Sequence, residues 1–501
     1  MPDTMGFETS PQLNKSGRSP LFVFLSRHGP LVLALVPLAF LLCVVARYAV
    51  PVPYWDQWEF VPLLEKTYHG QLTFHDLWAQ HNEHRILFPR IIMLALAHLT
   101  GWNIRCELAV NLILALGIFA VFIHQVKITG RKLGIAGWYW AIPAISLIVF
   151  SISQYQNWLW GWQLQMLLNL LAVVGGIVLL ANEIFSWRRF AAAALLGVVA
   201  TYSFANGTLF WPIGLVILLV VTAGKREKQP AMIAWLAVSV LTLWSYLYHY
   251  QKPEEHPALN LIFKMPAEYA GFVLKYIGGI CAQYVGGSTP TDGDFALVFG
   301  LAATLALGWA GGMLVRKKIA DFKTLLPYFG LSLYSIGSAL MTGVGRVGFG
   351  SNQAIYSRYC TMVVPLWVSL VVLLVLLRTG GNRNPNAGPA PQKRHGTPAP
   401  PDCRQIAGWL LLAAITLLVL GSICATDGAK DLSRLQAWGR TSLLNLAANP
   451  RADIDYPGLS VIYSKPDVIV ERYPVLVKHR LSVFRDRDIS SDSPGAGTVA
   501  F

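Results

Sequence analysis

The stretch YWDQWEF, residues 54–60, sets two carboxylates, Asp56 and Glu59, among aromatic rings, with no lysine or arginine between them. Aromatic neighbours strip water from a carboxylate, which raises its pKa and makes it a better general base. Rings also stack on sugar faces, so this setting suits a base acting on a carbohydrate hydroxyl. Asp56 is the expected base and Glu59 a substrate-binding neighbour.

Three further clusters carry chemistry. HNEHR, residues 81–85, packs two histidines, an acid and an arginine together. Glu83 is the expected second active-site acid, with His84 and Arg85 as phosphate contacts. Histidine with carboxylate also suits a divalent cation. The spacing matches no HExxH-type zinc signature, so no metal ligand is assigned and a divalent metal stays an open alternative as cofactor. GRVGFGSNQAIYSRY, residues 345–359, offers Arg346, Arg358 and Tyr359. Its glycines let backbone amides approach an anion, and arginine forks match phosphate oxygens. The competing reading is arginines snorkelling to lipid headgroups. QYQNWLWGWQLQ, residues 154–165, mixes amides with three tryptophans. A membrane-interface belt accounts for the tryptophans, while Gln156 and Asn157 are expected to bind sugar hydroxyls.

The elements that must hold these clusters are apolar. The chain has 501 residues, 54% hydrophobic and 13% charged, with a mean hydropathy of +0.48, where a soluble protein carries roughly 25% charged residues. Apolar runs recur at the length that crosses about 30 Å of hydrocarbon. The expected fold is an all-α polytopic membrane protein with about eleven spans (range 9–13): 30–50, 106–124, 134–152, 163–182, 189–204, 207–223, 231–249, 294–315, 324–344, 358–378 and 405–425. The cations agree with this layout. Lys15, Arg18 and Arg27, Lys127/Arg131/Lys132, Arg188/Arg189, Lys225/Arg226/Lys228, Arg316/Lys317/Lys318/Lys323 and those from Arg378 to Arg404 all fall on one side, as the positive-inside rule requires. The net charge of +14 therefore reads as orientation and contact with anionic lipid, and excludes nucleic acid as a partner.

The expected domains are a cytoplasmic N-terminus (1–29), a transmembrane body (30–378) whose first outer loop is 51–105, a Pro/Gly-rich linker (379–404), a last span (405–425) and a small outer tail (426–501). RILFPRIIMLALAHLTG in the first loop bears Arg85, Arg90 and His98 and reads as an amphipathic helix on the membrane surface. EYAGFVLKYIGGICAQYVGG (268–287), with Lys275 at its centre, reads the same way or as re-entrant. The NGT triplet at 206–208 has the form of a glycosylation sequon but lies in a tight turn between spans. Six cysteines form no CxxC pair, which indicates neither a disulfide framework nor a zinc ribbon.

An aromatic-flanked acid just after the first span (PYWDQWEF), then HNEHRILFPRIIMLALAHLTGWN and CELAVNLILALGIFAVFIH, resembles the GT-C superfamily of membrane glycosyltransferases over about residues 30–250. The layout is similar to protein mannosyltransferases and lipid A aminoarabinose transferases, and to a poorly characterised bacterial branch. The resemblance implies a GT-C-like body and an inverting transfer of a sugar from a polyprenyl-phosphate donor to an envelope glycan, lipid or protein acceptor. It implies a bacterial inner membrane with the reaction on the periplasmic side, and it assigns the base to Asp56 and a second acid, metal or acceptor contact to Glu83. Many members carry adjacent acids, whereas Gln57 follows Asp56 here. The rival readings are a flippase of lipid-linked sugars, which predicts ionisable residues in mid-membrane, and a non-catalytic envelope protein acting through its tail.

Overall fold

The computed structural model describes residues 20–135, 137–182, 184–222, 229–254, 257–284, 289–380, 402–450 and 453–486. Lys15 and Arg18, the Lys225/Arg226/Lys228 loop and most of the 379–404 linker lie outside them. All regular elements among the described residues are helical, apart from one isolated bridge between His81 and His84.

The described chain starts with α1 (Pro20–Tyr48) and a two-turn 3-10 helix (Trp55–Phe60), followed by α2 (Val61–Tyr68), α3 (Phe74–Trp78) and α4 (Leu87–Thr100). Pro89, Met93 and Ala97, with Arg90 and Leu94, make the buried stripe of α4 at helical spacing. Next come α5 (Ile104–Leu133), α6 (Ala141–Val149), α7 (Tyr155–Leu159), α8 (Leu164–Leu180), α9 (Trp187–Thr201), α10 (Phe210–Thr222) and α11 (Gln229–Leu247). The second half holds α12 (Leu261–Lys264), α13 (Pro266–Ala282), α14 (Thr289–Arg316), α15 (Phe322–Arg346), α16 (Cys360–Thr379), α17 (Cys403–Ala448), α18 (Tyr456–Ser460) and α19 (Pro466–Lys478).

Nine helices among the described residues are long and apolar enough to cross a membrane. The chain is thus an all-helical protein of multi-pass character. Two of the eleven expected spans fall short. Segment 134–152 yields only the nine residues of α6 and 189–204 the fifteen of α9, about 14 and 23 Å of helix against about 30 Å of hydrocarbon. The physical reason for α6 is local: the Gln154 amide donates to the carbonyls of Ile148 and Val149, replacing the next helical turn. α16 is buried along its whole apolar stretch and is the axis of the bundle.

Charge sorts the two ends of that bundle. At one end Lys132 donates to Thr324 (2.7 Å), Lys317 faces Asp402 (3.4 Å), and Gly137 and Gly408 pack against Thr379 and Arg378. At the other end stand Glu83 with Arg346, Gln80 with Gln251, and Lys275 with Asn352.

Two expectations change here. α13 neither lies on the surface nor re-enters as an isolated hairpin. Its second half, Phe272 and Lys275–Ala282, is buried. Gly278 and Gly300 bring its backbone against α14 so closely that a Cβ at either would overlap a carbonyl oxygen. The 405–425 span is part of a single 46-residue helix, about 69 Å long, more than twice what the hydrocarbon needs. Its second half carries the tail onto the first loop, so residues 426–450 and 453–486 are part of the body and not an appendage. Asn206 is buried in the turn before α10.

Candidate functional site

The sequence-distant clusters meet at the acid-rich end. Asp56 is presented by a strained backbone. Trp55 adopts φ +49°, a left-handed conformation rare for a bulky residue, and its N–H is held by the Ile462 carbonyl (2.7 Å). Trp58 and Gln57 anchor the turn beneath: the indole N–H of Trp58 donates to Pro53 (3.1 Å), and the Gln57 amide donates to Glu107 Oε2 (2.6 Å). Gln57 is buried while Asp56 is half-exposed. An acid at 57 would therefore point into the core and form no pair with Asp56.

HNEHR folds as a tight turn. His81 and His84 exchange both backbone hydrogen bonds (2.8 Å each), with Asn82 at φ +47° between them. The turn sends its side chains two ways. His81 Nε2 stands 3.9 Å from Asp56 Oδ2, its ring edge-on to Trp162 (5.1 Å). Glu83 accepts from Arg346 at 2.5 Å. His84 is buried: its Nδ1 accepts the Ala205 N–H (3.1 Å), it stacks on Phe204 (4.1 Å), and its Nε2 lies 3.6 Å from Glu83. Burial pushes the His84 pKa down to about 4, against the pull of Glu83, so the ring is neutral at ordinary pH, with its proton on Nε2. Of the two histidines, His81 is the one that reaches Asp56, while His84, expected as a phosphate contact, is buried against Phe204 and Ala205.

Arg358 completes the cluster. Its guanidinium lies over the rings of Tyr356 (5.4 Å) and Tyr359 (5.3 Å) and within electrostatic reach of Asp56 and Tyr54. Tyr359 in turn stacks on Tyr276 (5.3 Å). Asp56, His81, Glu83, Arg346 and Arg358, drawn from both halves of the chain, thus share one patch.

Other expected site residues turn out to serve the fold. Arg85 gives its guanidinium N–H groups to the carbonyls of Tyr246 (2.7 Å), Tyr248 (2.5 Å) and Trp78 (3.1 Å). It is buried and caps the end of α11, which replaces the expected phosphate contact. Gln156 accepts from the Arg358 N–H (3.1 Å), and Asn157 donates to the Arg358 carbonyl (2.9 Å) and to Thr361 (2.5 Å). These amides tie the broken α6–α8 connection to the start of α16, which replaces the expected sugar contacts. Glu59 is held by Tyr463 and, at 3.0 Å, by Arg472. Burial alone would raise its pKa, but these two partners outweigh it and hold the carboxyl below its ordinary value.

Three contributors escaped the sequence reading. Glu107, fully buried, accepts from Gln57 and from the Trp102 indole (2.8 Å). The signal was present, since it is an acid at the head of a long apolar segment. Tyr463 and Arg472 sit about 400 residues from Glu59 in sequence and left no local trace. Among the described residues, no three His, Cys, Asp or Glu side chains converge as a metal site. Compared with models of known families, with curated proteins and with solved structures, the chain matches none.

Proposed function

We propose that the protein is a membrane glycosyltransferase that moves a sugar from a polyprenyl-phosphate donor to an envelope glycan, lipid or protein acceptor. The observation that carries this reading is Asp56 with His81 at 3.9 Å, in the electrostatic field of the Arg358 guanidinium from the chain's other half. A carboxylate base with a cation near enough to sense its charge is what a displacement at a sugar phosphate needs. Asp56 takes the proton of the acceptor hydroxyl as its oxygen bonds to C1. The C1–O bond breaks with its electrons on the phosphate, and Arg358 stabilises that charge. Arg346 is the second phosphate group partner and exchanges Glu83 for the donor. A single displacement inverts the anomeric centre. The acid-rich end is the periplasmic face of a bacterial inner membrane, and the basic end is cytoplasmic, as the positive-inside rule orders it.

The test is release of polyprenyl phosphate from a polyprenyl-phosphate sugar by the protein in liposomes. Asp56→Asn lowers the rate by roughly 10²–10⁴-fold, with insertion and melting unchanged. A rate equal to that of the native chain removes Asp56 from the mechanism.

A further inference from the structure

The turn that carries Asp56 is gripped from the far end of the chain, on both sides of the base. Before it, the Trp55 N–H donates to the Ile462 carbonyl (2.7 Å). After it, Arg472 Nη1 donates to the Trp58 carbonyl (2.8 Å) and faces Glu59 Oε2 (3.0 Å), and the Tyr463 hydroxyl donates to Glu59 Oε1. The Asp56 carboxylate takes part in none of these bonds. Gln57 and Trp58 anchor their side chains in the body, so the tail adds a hold on the backbone at positions 55 and 58 and on the side chain at 59. That hold falls on strained chain. Trp55 keeps φ +49°, and a bulky residue stays in the left-handed region only where its surroundings over-determine it.

The source of the grip is itself fixed. Ile462 is buried against Gly439 of α17, where a Cβ would overlap it. The helix that bears Arg472, α19, is tied to the first loop at its far end. There His479 stacks on Tyr68 (4.3 Å), and the Ser482 N–H donates to the Gly101 carbonyl (2.8 Å).

We infer that residues 462–472 of the tail position the base: they fix the backbone on either side of Asp56 and so aim its carboxylate at His81 and the acceptor hydroxyl. The inference rests on the transferase reading. Arg472 touches no reacting atom and is a positioning residue. A catalytic group misplaced by about 1 Å can cost roughly 10²-fold in rate, whereas a partly exposed ion pair adds little to stability. The effect of Arg472 is therefore read in rate and not in melting.

Two variants of the full chain test this. Arg472→Met keeps an unbranched stem and loses the charge. Arg472→Lys restores a cation, and since Nη1 alone makes both contacts, one ammonium can replace it. In the liposome assay of polyprenyl phosphate release, Arg472→Met is expected to lower kcat about 10-fold, with KM for the donor and the melting temperature nearly unchanged. Arg472→Lys regains most of that rate. Hydrogen exchange of residues 54–60, measured without substrate in nanodiscs, rises in Arg472→Met and returns towards native in Arg472→Lys. An unchanged kcat, a loss confined to KM, or a loss matched by a fall in melting overturns the positioning role and leaves the transferase reading to the Asp56→Asn assay. A native chain that releases no polyprenyl phosphate overturns the transferase reading and the role of a positioned base with it. Exchange then decides the grip alone: faster exchange in Arg472→Met keeps it, and equal exchange overturns it as well.

Discussion

Residues 54–85 and 154–165 look alike on paper: each sets polar side chains among tryptophans at the end of an apolar segment. In the folded chain they do different things. The amides of Gln154, Gln156 and Asn157 are spent on backbone groups and on the Thr361 hydroxyl. Gln154 closes the end of α6, Asn157 holds the start of α16, and Asn111 donates to the carbonyls of Asn157 (3.0 Å) and Trp160 (3.4 Å). In an apolar interior each unpaired peptide group is costly, so irregular chain survives there only where neighbours satisfy it. An amide does this without charge because it both donates and accepts. A carboxylate only accepts and carries charge, so Asp56 and Glu83 stay at the bundle end and recruit His81 and Arg346. The amides thus go to the scaffold together with Glu59 and Glu107, whose partners are already fixed, and Asp56 and Glu83 with their cations make the site.

This contrast can be broken by mutation. The largest difference is between Asp56→Asn, which loses roughly 10²–10⁴ of the transfer rate with melting unchanged, and Asn157→Ala, which does the reverse. Asn157 is fully buried and makes two side-chain bonds to the α16 start. Its loss lowers stability by about 2–4 kcal/mol, read as a drop in melting temperature in detergent, with activity per folded molecule kept. A stable Asn157→Ala that is inactive would turn the amide region into a site and end the distinction.

Next in size is a pH effect. His84 is held down to about 4 by burial, whereas an unfolded histidine titrates near 6.5. Between those values the unfolded chain binds the extra proton, so stability is full above about pH 6.5 and falls as pH drops towards 4. Titration of this one ring across that range removes about 3 kcal/mol of stability. Denaturant melts from pH 7 to 4 measure the slope, and His84→Gln, which retains an acceptor for Ala205, flattens it. An unchanged slope in that variant would assign the acid sensitivity elsewhere.

The smallest effect concerns the tail. Arg472 holds Glu59 at a partly exposed position, where such a pair contributes about 1 kcal/mol or less. Because the Glu59 pKa is lowered, its contribution is present above the ordinary carboxyl value and is lost as pH falls through the folded value. Hydrogen exchange in 456–478 is therefore expected to rise modestly in Arg472→Ala at neutral pH, and in the native chain only in acid. Equal protection in the variant would show that the tail is held by the Tyr463–Glu59 and Ile462–Trp55 hydrogen bonds without Arg472.

Reading the sequence found the apolar helices wherever hydrophobic runs were long, because burial in hydrocarbon depends on local composition. It failed at α6, where Gln154 reaches back to end the helix, and at α17, whose amphipathic second half continues the apolar first half without a break. In the site, Asp56, Glu83, Arg346 and Arg358 were visible as types, since charge is rare in this chain. Their pairing was not visible, and neither was the demotion of Arg85, whose three carbonyl partners come from residues 78, 246 and 248.

Composition and spacing by themselves determined that this chain is an apolar helical bundle with basic and acidic ends, because hydrophobic length and charge placement are properties of contiguous residues. Tertiary structure alone decided which polar groups were left over for chemistry. That depends on which backbone groups the folding leaves unpaired, and those demands are met by side chains hundreds of residues away. YWDQWEF shows both halves of the answer. Its residue types announced an acid among rings, and only the fold turned Asp56 towards His81 and Arg358, Gln57 towards Glu107, and Glu59 towards the tail.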